Sequence, residues 1–147
     1  MEAEAYGRGG DRLKDRVAIV TGAGSRADGV GNGRAAAILL ARNGARVVLV
    51  DANAQWAERT REMIAAEGGE SLVVGADVTI PDDCARIVRA GVERWGRIDI
   101  LVNNVGIGGP PGTAVEVDLE GWNHGLAVNV TSMMLMSKYA IPEMIRA

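Results

Sequence analysis

The sequence predicts an α/β fold built on a parallel, doubly wound sheet, and three observations carry that reading. Four short β-prone runs alternate with helical stretches along the 147 residues. A glycine-dense turn, "TGAGSRADGVGNGR" at 21–34, joins the first such run to the first helix and holds five glycines in fourteen positions. Asp51 closes the second run, eighteen positions after Gly33.

The elements follow in order. Residues 1–12 are polar and glycine-containing and read as a mobile tail, which leaves 13–147 as one domain. "RVAIVT" is a continuous apolar run, as expected of a strand buried on both faces. "GRAAAILLARNG" is a helix stopped at Gly44. "ARVVLVD" is a second buried strand, and "NAQWAERTREMIAAEGG" an amphipathic helix capped by Asn53 and ended at Gly68. "SLVVGADV" is a third strand. "TIPDDCARIVRAGVERWG" then opens a helix with Thr79 and Asp82 in capping-box spacing and Pro81 in the first turn. "RIDILVNN" is a fourth strand, "VGIGGPPGTAVEV" a loop, and "DLEGWNHGLAVNVTSMMLMSKYAIPEMIRA" one long helix. The order β-α-β-α-β-α-β-loop-α calls for parallel strands joined by right-handed crossovers.

Composition removes several classes of function. With 48% hydrophobic and 24% charged residues the chain is an ordinary globular one. A formal charge of -3 and scattered basic residues argue against nucleic acid as a partner. No apolar stretch approaches the ~18 residues of a membrane span, and the start lacks a signal-peptide core, so a cytoplasmic location away from membranes is expected. One cysteine, Cys84, and one histidine, His124, leave neither a metal-ligand set nor a Ser/His/Asp triad. His124 reads as an exposed helix residue.

A strand, a glycine turn and a helix make a geometry that binds pyrophosphate: the backbone comes close, and the helix N-terminus offers free N–H groups. The P-loop alternative fails, because Val30 and Gly31 follow Gly24 and Gly29 where Lys and Ser/Thr are required. The strict G-x-G-x-x-G pattern also fails, at Ala27. Asp51 at a strand end can accept both ribose hydroxyls of an adenosine and would repel a 2′-phosphate, which favours NAD over NADP.

Together "TGAGS…GNGR", Asp77-Val78, "NNVG" at 103–106 and "VN" at 128–129 resemble the short-chain dehydrogenase/reductase family, with its signatures T-G-x-x-x-G-x-G, D-[VL], N-N-A-G and a helical Asn. The match runs in order over 13–147, and the overall pattern looks most like reductases of the 3-oxoacyl carrier-protein type. The resemblance implies a Rossmann-type sheet of strand order 3-2-1-4. It implies a diphosphate lined by Gly22, Ser25, Gly31, Asn32 and Gly33, an adenine beside Asp77 and Val78, and Asn103, Asn104 and Gly106 beneath the nicotinamide-side ribose. It also implies Asn129 as a catalytic-site residue holding a water in a proton relay, although a helix-kinking role is open. Val105 replaces the family alanine. Eight residues separate Gly22 from Gly31, five more than the signature, and the excess is placed at "RADGV", 26–30. That insertion reads either as a finger over the cofactor, with Arg26 touching a phosphate, or as a solvated bulge.

The family's Tyr-x-x-x-Lys pair does not occur here: Gly10 stands four after Tyr6, and Glu143 four after Tyr139. The pattern therefore reads as a Rossmann-type sheet truncated before its fifth strand. The implied activity is hydride transfer with a small alcohol or ketone, in a homo-oligomer, a tetramer or dimer. Such a piece is expected to be inactive alone and either marginally stable or self-associating. A non-catalytic NAD-binding module and a fragment without function are the other readings. Trp122, Leu126, Asn129, Met133 and Met136 are expected on one helix face. Trp56, Trp95 and the methionines at 133–136 are expected in the core or in subunit contacts.

Overall fold

A computed structural model describes residues 10–26 and 29–147. The tail expected at 1–12 lies outside the described residues as far as residue 9, and so do Ala27 and Asp28 of the insertion. Gly10 to Arg12 lead into a turn tied to the sheet's lower end, where the Leu13 N–H donates to the Asn43 carbonyl at 2.8 Å.

Strands β1 (Val17–Thr21), β2 (Arg46–Asp51), β3 (Ser71–Gly75) and β4 (Ile100–Val102) form one sheet of order β3-β2-β1-β4. All three pairings are parallel, with Thr21 opposite Val50, Val20 opposite Val102 and Asp51 opposite Gly75. The register brings the carboxyl ends of all four strands to one rim. Helices α1 (Asn32–Arg42), α2 (Ala54–Ala66) and α3 (Pro81–Trp95) are the crossovers. Helix α4 (Leu119–Leu126) and helix α5 (Ser132–Arg146) follow the last strand.

The continuous apolar runs of β1 and β2 have the burial that sequence predicts. Val17, Ile19, Val48 and Val50 face α3 and α5 through Ile87, Met136 and Ala140. Val20, Val47 and Leu49 face α1 and α2 through Ala37, Ala57 and Ile64. Helices thus cover both faces, as a doubly wound sheet requires. Gly44, Gly68 and Gly96 end α1, α2 and α3 at positive φ of 93°, 81° and 80°.

Three expectations need correction. Thr79 does not cap α3. The residue before the helix is Ile80, without a side-chain cap bond, while the Thr79 N–H and hydroxyl both donate to Asp77 Oδ1 at 2.9 and 2.7 Å. An aspartate two residues upstream wins that hydroxyl through a local turn, and Asp83 instead accepts from the Asp77 N–H at 2.8 Å. Secondly, the final helix is not uniformly α: Ala127–Thr131 form a π-helical turn between α4 and α5. The widened turn shifts the phase of everything after it. Met136 is therefore fully buried while Trp122, Leu126 and Met133 are exposed, so these residues and Asn129 do not share one buried face. Thirdly, β3 and β4 end earlier than the apolar runs, because the chain leaves the ladder at Ala76 and Asn103 to build the rim.

Candidate functional site

The rim begins at the turn after β1. Gly22 adopts a φ of 62° that non-glycine residues rarely accept. The Ala23 N–H then donates to the Val50 carbonyl at 2.9 Å, which draws the turn across the top of β2. Helix α1 returns beneath it so closely that a Cβ on Gly33 would stand 1.9 Å from the Gly22 carbonyl oxygen. Only glycine permits that approach.

Gly31 is different: a Cβ there would meet nothing nearer than Ser25 Oγ at 4.0 Å. Its backbone is extended, at φ -76° and ψ 168°, so the fold itself places no demand for glycine there. The proximity of Gly31 to Ser25 also shows where the insertion goes. Residues 25 and 31 are neighbours in space, so the excess falls between them in the sequence. Gly31 is the N-cap of α1, no side chain caps that terminus, and its first turn holds no acidic residue. The terminus thus presents N–H groups and a partial positive charge to an incoming anion.

Asp51 ends β2 half-buried on the same rim. Its Oδ2 accepts from the Gly24 N–H at 3.0 Å and its Oδ1 from the Asn53 N–H at 2.9 Å. These bonds fix the carboxylate, and each oxygen retains a lone pair for a further donor. Asn53 Oδ1 caps α2 by accepting from the Gln55 N–H, as its position predicts.

The paired asparagines at the end of β4 divide their work. Asn104 Nδ2 donates to both the Thr21 and Gly22 carbonyls at 3.0 Å, while its N–H donates to Thr21 Oγ1 at 3.0 Å. Asn104 thereby staples the glycine turn to β4. Asn103 is half-buried and makes no side-chain hydrogen bond among the described residues. Asn129 lies in the π-helical turn and grips the next loop from both sides. Its Oδ1 accepts from the Ile107 N–H at 2.8 Å, and its Nδ2 donates to the Ile107 carbonyl at 3.0 Å. A Cβ on Gly106 would lie 3.5 Å from that same Oδ1, so Asn129 and Gly106 are neighbours.

Two cavities meet at this rim. One, of about 220 Å³, is lined by Asp51, Asp77, Val78 and Val105 among others. The second, of about 300 Å³, is lined by Gly24, Ser25, Arg26, Trp56 and Gly106. Gly22, Asp51, Ala52, Val105 and Ile107 line both, which makes them one trough folded around the Asp51 carboxylate. Asp77 is exposed at the edge and Val78 is buried behind it. Cys84, beneath Val78, is inert: burial, then the charges of Asp83 and Asp77, push its thiol up to about 11. His124 is exposed on α4, away from these lining residues.

Arg34 went unseen in the sequence, and Trp56, expected in the core or in subunit contacts, is half-buried and lines the larger cavity. Arg34 is fully buried. Trp56 packs on Gly24, whose Cβ would come within 2.5 Å of the tryptophan Cβ. The signal for Arg34 was its spacing, three before the buried Ala37 on the inward stripe of α1. Arg26 was expected near a phosphate; its guanidinium lies 5.9 Å from the centroid of the Trp56 ring, at the mouth of the larger cavity.

A family model described as enoyl-(acyl carrier protein) reductase matches residues 26–147. An oxidoreductase from Thermotoga maritima is 40% identical over 132 residues, covering 90% of this chain and 49% of that protein. Cyclohexanol dehydrogenase from Acinetobacter is 31% identical over 137 residues, covering 93% of this chain and 53% of the other. Among solved structures, a short-chain dehydrogenase/reductase from Burkholderia xenovorans superposes with a TM-score of 0.88 at 43% identity, over 92% of this chain and 54% of that one. A 7α-hydroxysteroid dehydrogenase complexed with NADH and a 7-oxo bile acid conjugate gives 0.84 at 32% identity, over 92% and 50%. The chain spans about half the length of the curated relatives it matches.

Proposed function

The chain belongs to the short-chain dehydrogenase/reductase family, and on that premise we propose that it binds NAD across the carboxyl rim of its sheet and serves hydride transfer with a small alcohol or ketone. The observation that carries this reading is the trough itself, with an oriented carboxylate opening on it and an uncapped helix N-terminus next to Ser25 in its lining. Ligands of open parallel sheets sit at such strand ends.

The residues present fit a dinucleotide. Main-chain N–H groups around Gly22, Ser25, Gly31, Asn32 and Gly33 would hold the diphosphate, and the open space at Gly31 would let it approach. The Asp51 carboxylate would accept the adenosine ribose hydroxyls and repel a 2′-phosphate, which supports NAD over NADP. Asp77 and Val78 would border the adenine, and Asn103, Asn104 and Gly106 the second ribose. NAD, when bound, supplies the hydride acceptor or donor at nicotinamide C4. Asn129 holds the Ile107 peptide in place and with it the floor of the nicotinamide end, where its relay water would sit.

An uncharged substrate suits the small, mostly apolar loop 105–115, and the name of the cyclohexanol dehydrogenase relative supports an alcohol. No helix among the described residues is long and apolar enough to cross a membrane. Exposed Trp122, Leu126, Val130 and Met134 support a homo-oligomer joined through α4 and α5.

A second reading, a binding module without turnover, is favoured by one feature. Within these 147 residues Tyr139 is followed four positions later by Glu143, and it packs against the core instead of lining the trough. Titration of NAD followed by turnover with simple alcohols separates the two. Asp51→Ala should weaken NAD by about tenfold or more, the scale of one charge-assisted hydrogen bond. Equal affinity in the variant would remove Asp51 from the site.

A further inference from the structure

Arg34 is a buried cation whose described partners are all neutral. Its Nε donates to Thr60 Oγ1 at 3.0 Å, one terminal nitrogen to the Gly29 carbonyl at 2.7 Å and the other to the Trp56 carbonyl at 3.3 Å. Burying a guanidinium is costly, so a fold retains one where its fixed fork of donors accomplishes something an apolar residue cannot. Here the fork joins two elements. Gly29 belongs to the insertion that follows the glycine turn, whereas Trp56 and Thr60 belong to the first two turns of α2.

Thr60 completes the arrangement from the other side. Also fully buried, it accepts from Arg34 and donates its hydroxyl proton to the Ala23 carbonyl at 2.7 Å. Ala23 lies before the insertion and Gly29 near its end, so the two serve as its stems. One Arg34–Thr60 pair therefore holds both stems against the same helix. The adjoining residue, Gly24, donates its N–H to Asp51 Oδ2 and lies against Trp56. Arg26, at the start of the insertion, stacks over the Trp56 ring.

We propose that Arg34 is a positioning residue: with Thr60 it clamps the stems of the 26–30 insertion onto α2, which fixes the Gly24 peptide and through it the Asp51 carboxylate. This rests on the NAD-binding reading, since the clamp's purpose is to hold the ribose acceptor in place. It differs from a general packing role because its effect is local and runs through a single amide.

The test uses the whole chain in two arms. Amide hydrogen exchange is read first, without ligand. Thr60→Val and Arg34→Met should each raise exchange at Gly24 by about tenfold or more while Ile19 and Val20 in β1 keep their protection. Thr60→Val, nearly isosteric, carries the arm if Arg34→Met does not fold. Unchanged Gly24 exchange, or a uniform rise across β1 as well, overturns the clamp. NAD affinity is read second. Each variant should weaken binding by about tenfold, and combination with Asp51→Ala should add little further loss, since both act on one contact. Fully additive losses overturn the assignment. If the variants show the local Gly24 effect but the wild-type chain binds no NAD, the cofactor role and the NAD-binding reading are overturned alike, leaving only the structural clamp.

Discussion

Replacing Gly33 by alanine tests how closely the glycine turn and helix α1 must approach. The added Cβ would stand 1.9 Å from the Gly22 carbonyl oxygen, 2.5 Å from Asn104 Nδ2 and 2.8 Å from the Gly22 carbonyl carbon. Ordinary non-bonded contact lies near ~3.5 Å, so the turn must retreat by about 1.5 Å. The nearest obstacle is backbone, and the Gly22 carbonyl also accepts the 3.0 Å bond from Asn104, so the retreat breaks the staple to β4. Overpacking costs about 1–3 kcal/mol and the lost hydrogen bond about 1. Against that, alanine is preferred over glycine inside a helix by about 1 kcal/mol. The balance is a loss of about 1–3 kcal/mol, a fall in Tm of roughly 3–8 °C for a chain of this size. Gly31→Ala is the control with the same chemistry and open space around it, and its stability should stay within about 0.5 kcal/mol of wild type. Thermal melts followed by NAD titration read both quantities. Gly33→Ala should lose stability and binding, whereas Gly31→Ala should lose binding by about tenfold with its melt unchanged. A Gly33→Ala chain that melts and binds like wild type would refute the close-approach reasoning. Wild-type affinity in Gly31→Ala would show that no ligand uses that space.

Three further predictions concern the frame around the trough. Burial alone would raise the Asp99 carboxyl, but hydrogen bonds from Arg97, the Val17 N–H and Arg16 outweigh it and hold the group at about 2. Because the folded value is depressed, its stabilisation of about 2 kcal/mol is present above the unfolded value near 4 and vanishes as pH falls towards 2. Asp99→Asn should therefore lower stability at pH 7 and match wild type near pH 2; a pH-independent difference in denaturant midpoint would contradict this. Asn104→Ala should cost about 1–2 kcal/mol by orphaning two carbonyls, and Asn104→Asp more, since it sets an acceptor against acceptors; the reverse order in urea melts would refute the staple. Val130 and Met134 are 57% and 54% exposed, and replacing both by lysine should shift concentration-dependent sedimentation towards monomer. Sedimentation that is monomeric and concentration-independent in wild type would count against an interface there.

Crossovers and helix stops were legible because each follows from local pattern, buried runs for β1 and β2 and glycines at 44, 68 and 96 in positions that take positive φ, whereas the strand order came with the family resemblance. The trough was legible in part. Gly33 and Asp51 stand where motif spacing puts them, yet spacing could not show that Asp51 is oriented by the Gly24 and Asn53 amides. Thr79 was misjudged because Asp77 takes both its N–H and its hydroxyl in a local turn, an alternative that sequence spacing does not rank against a cap. The π-helical turn was invisible for a similar reason: Asn129 within it bonds a loop twenty-two residues away, a contact that exists only in the folded chain. Arg34 escaped notice because cations on inward stripes are rare, and its three acceptors come together only in the folded chain.

The central claim is that a dinucleotide lies along the rim from the α1 N-terminus, past Asp51, to Gly106. Backbone amide chemical shifts followed during NAD titration test it most directly. The account predicts saturable changes confined to the turn at Gly22–Ser25, the start of α1, Asp51, Asp77–Val78 and Asn103–Ile107. Changes centred instead on the opposite, amino-terminal ends of the strands, or none at saturating NAD, would contradict it.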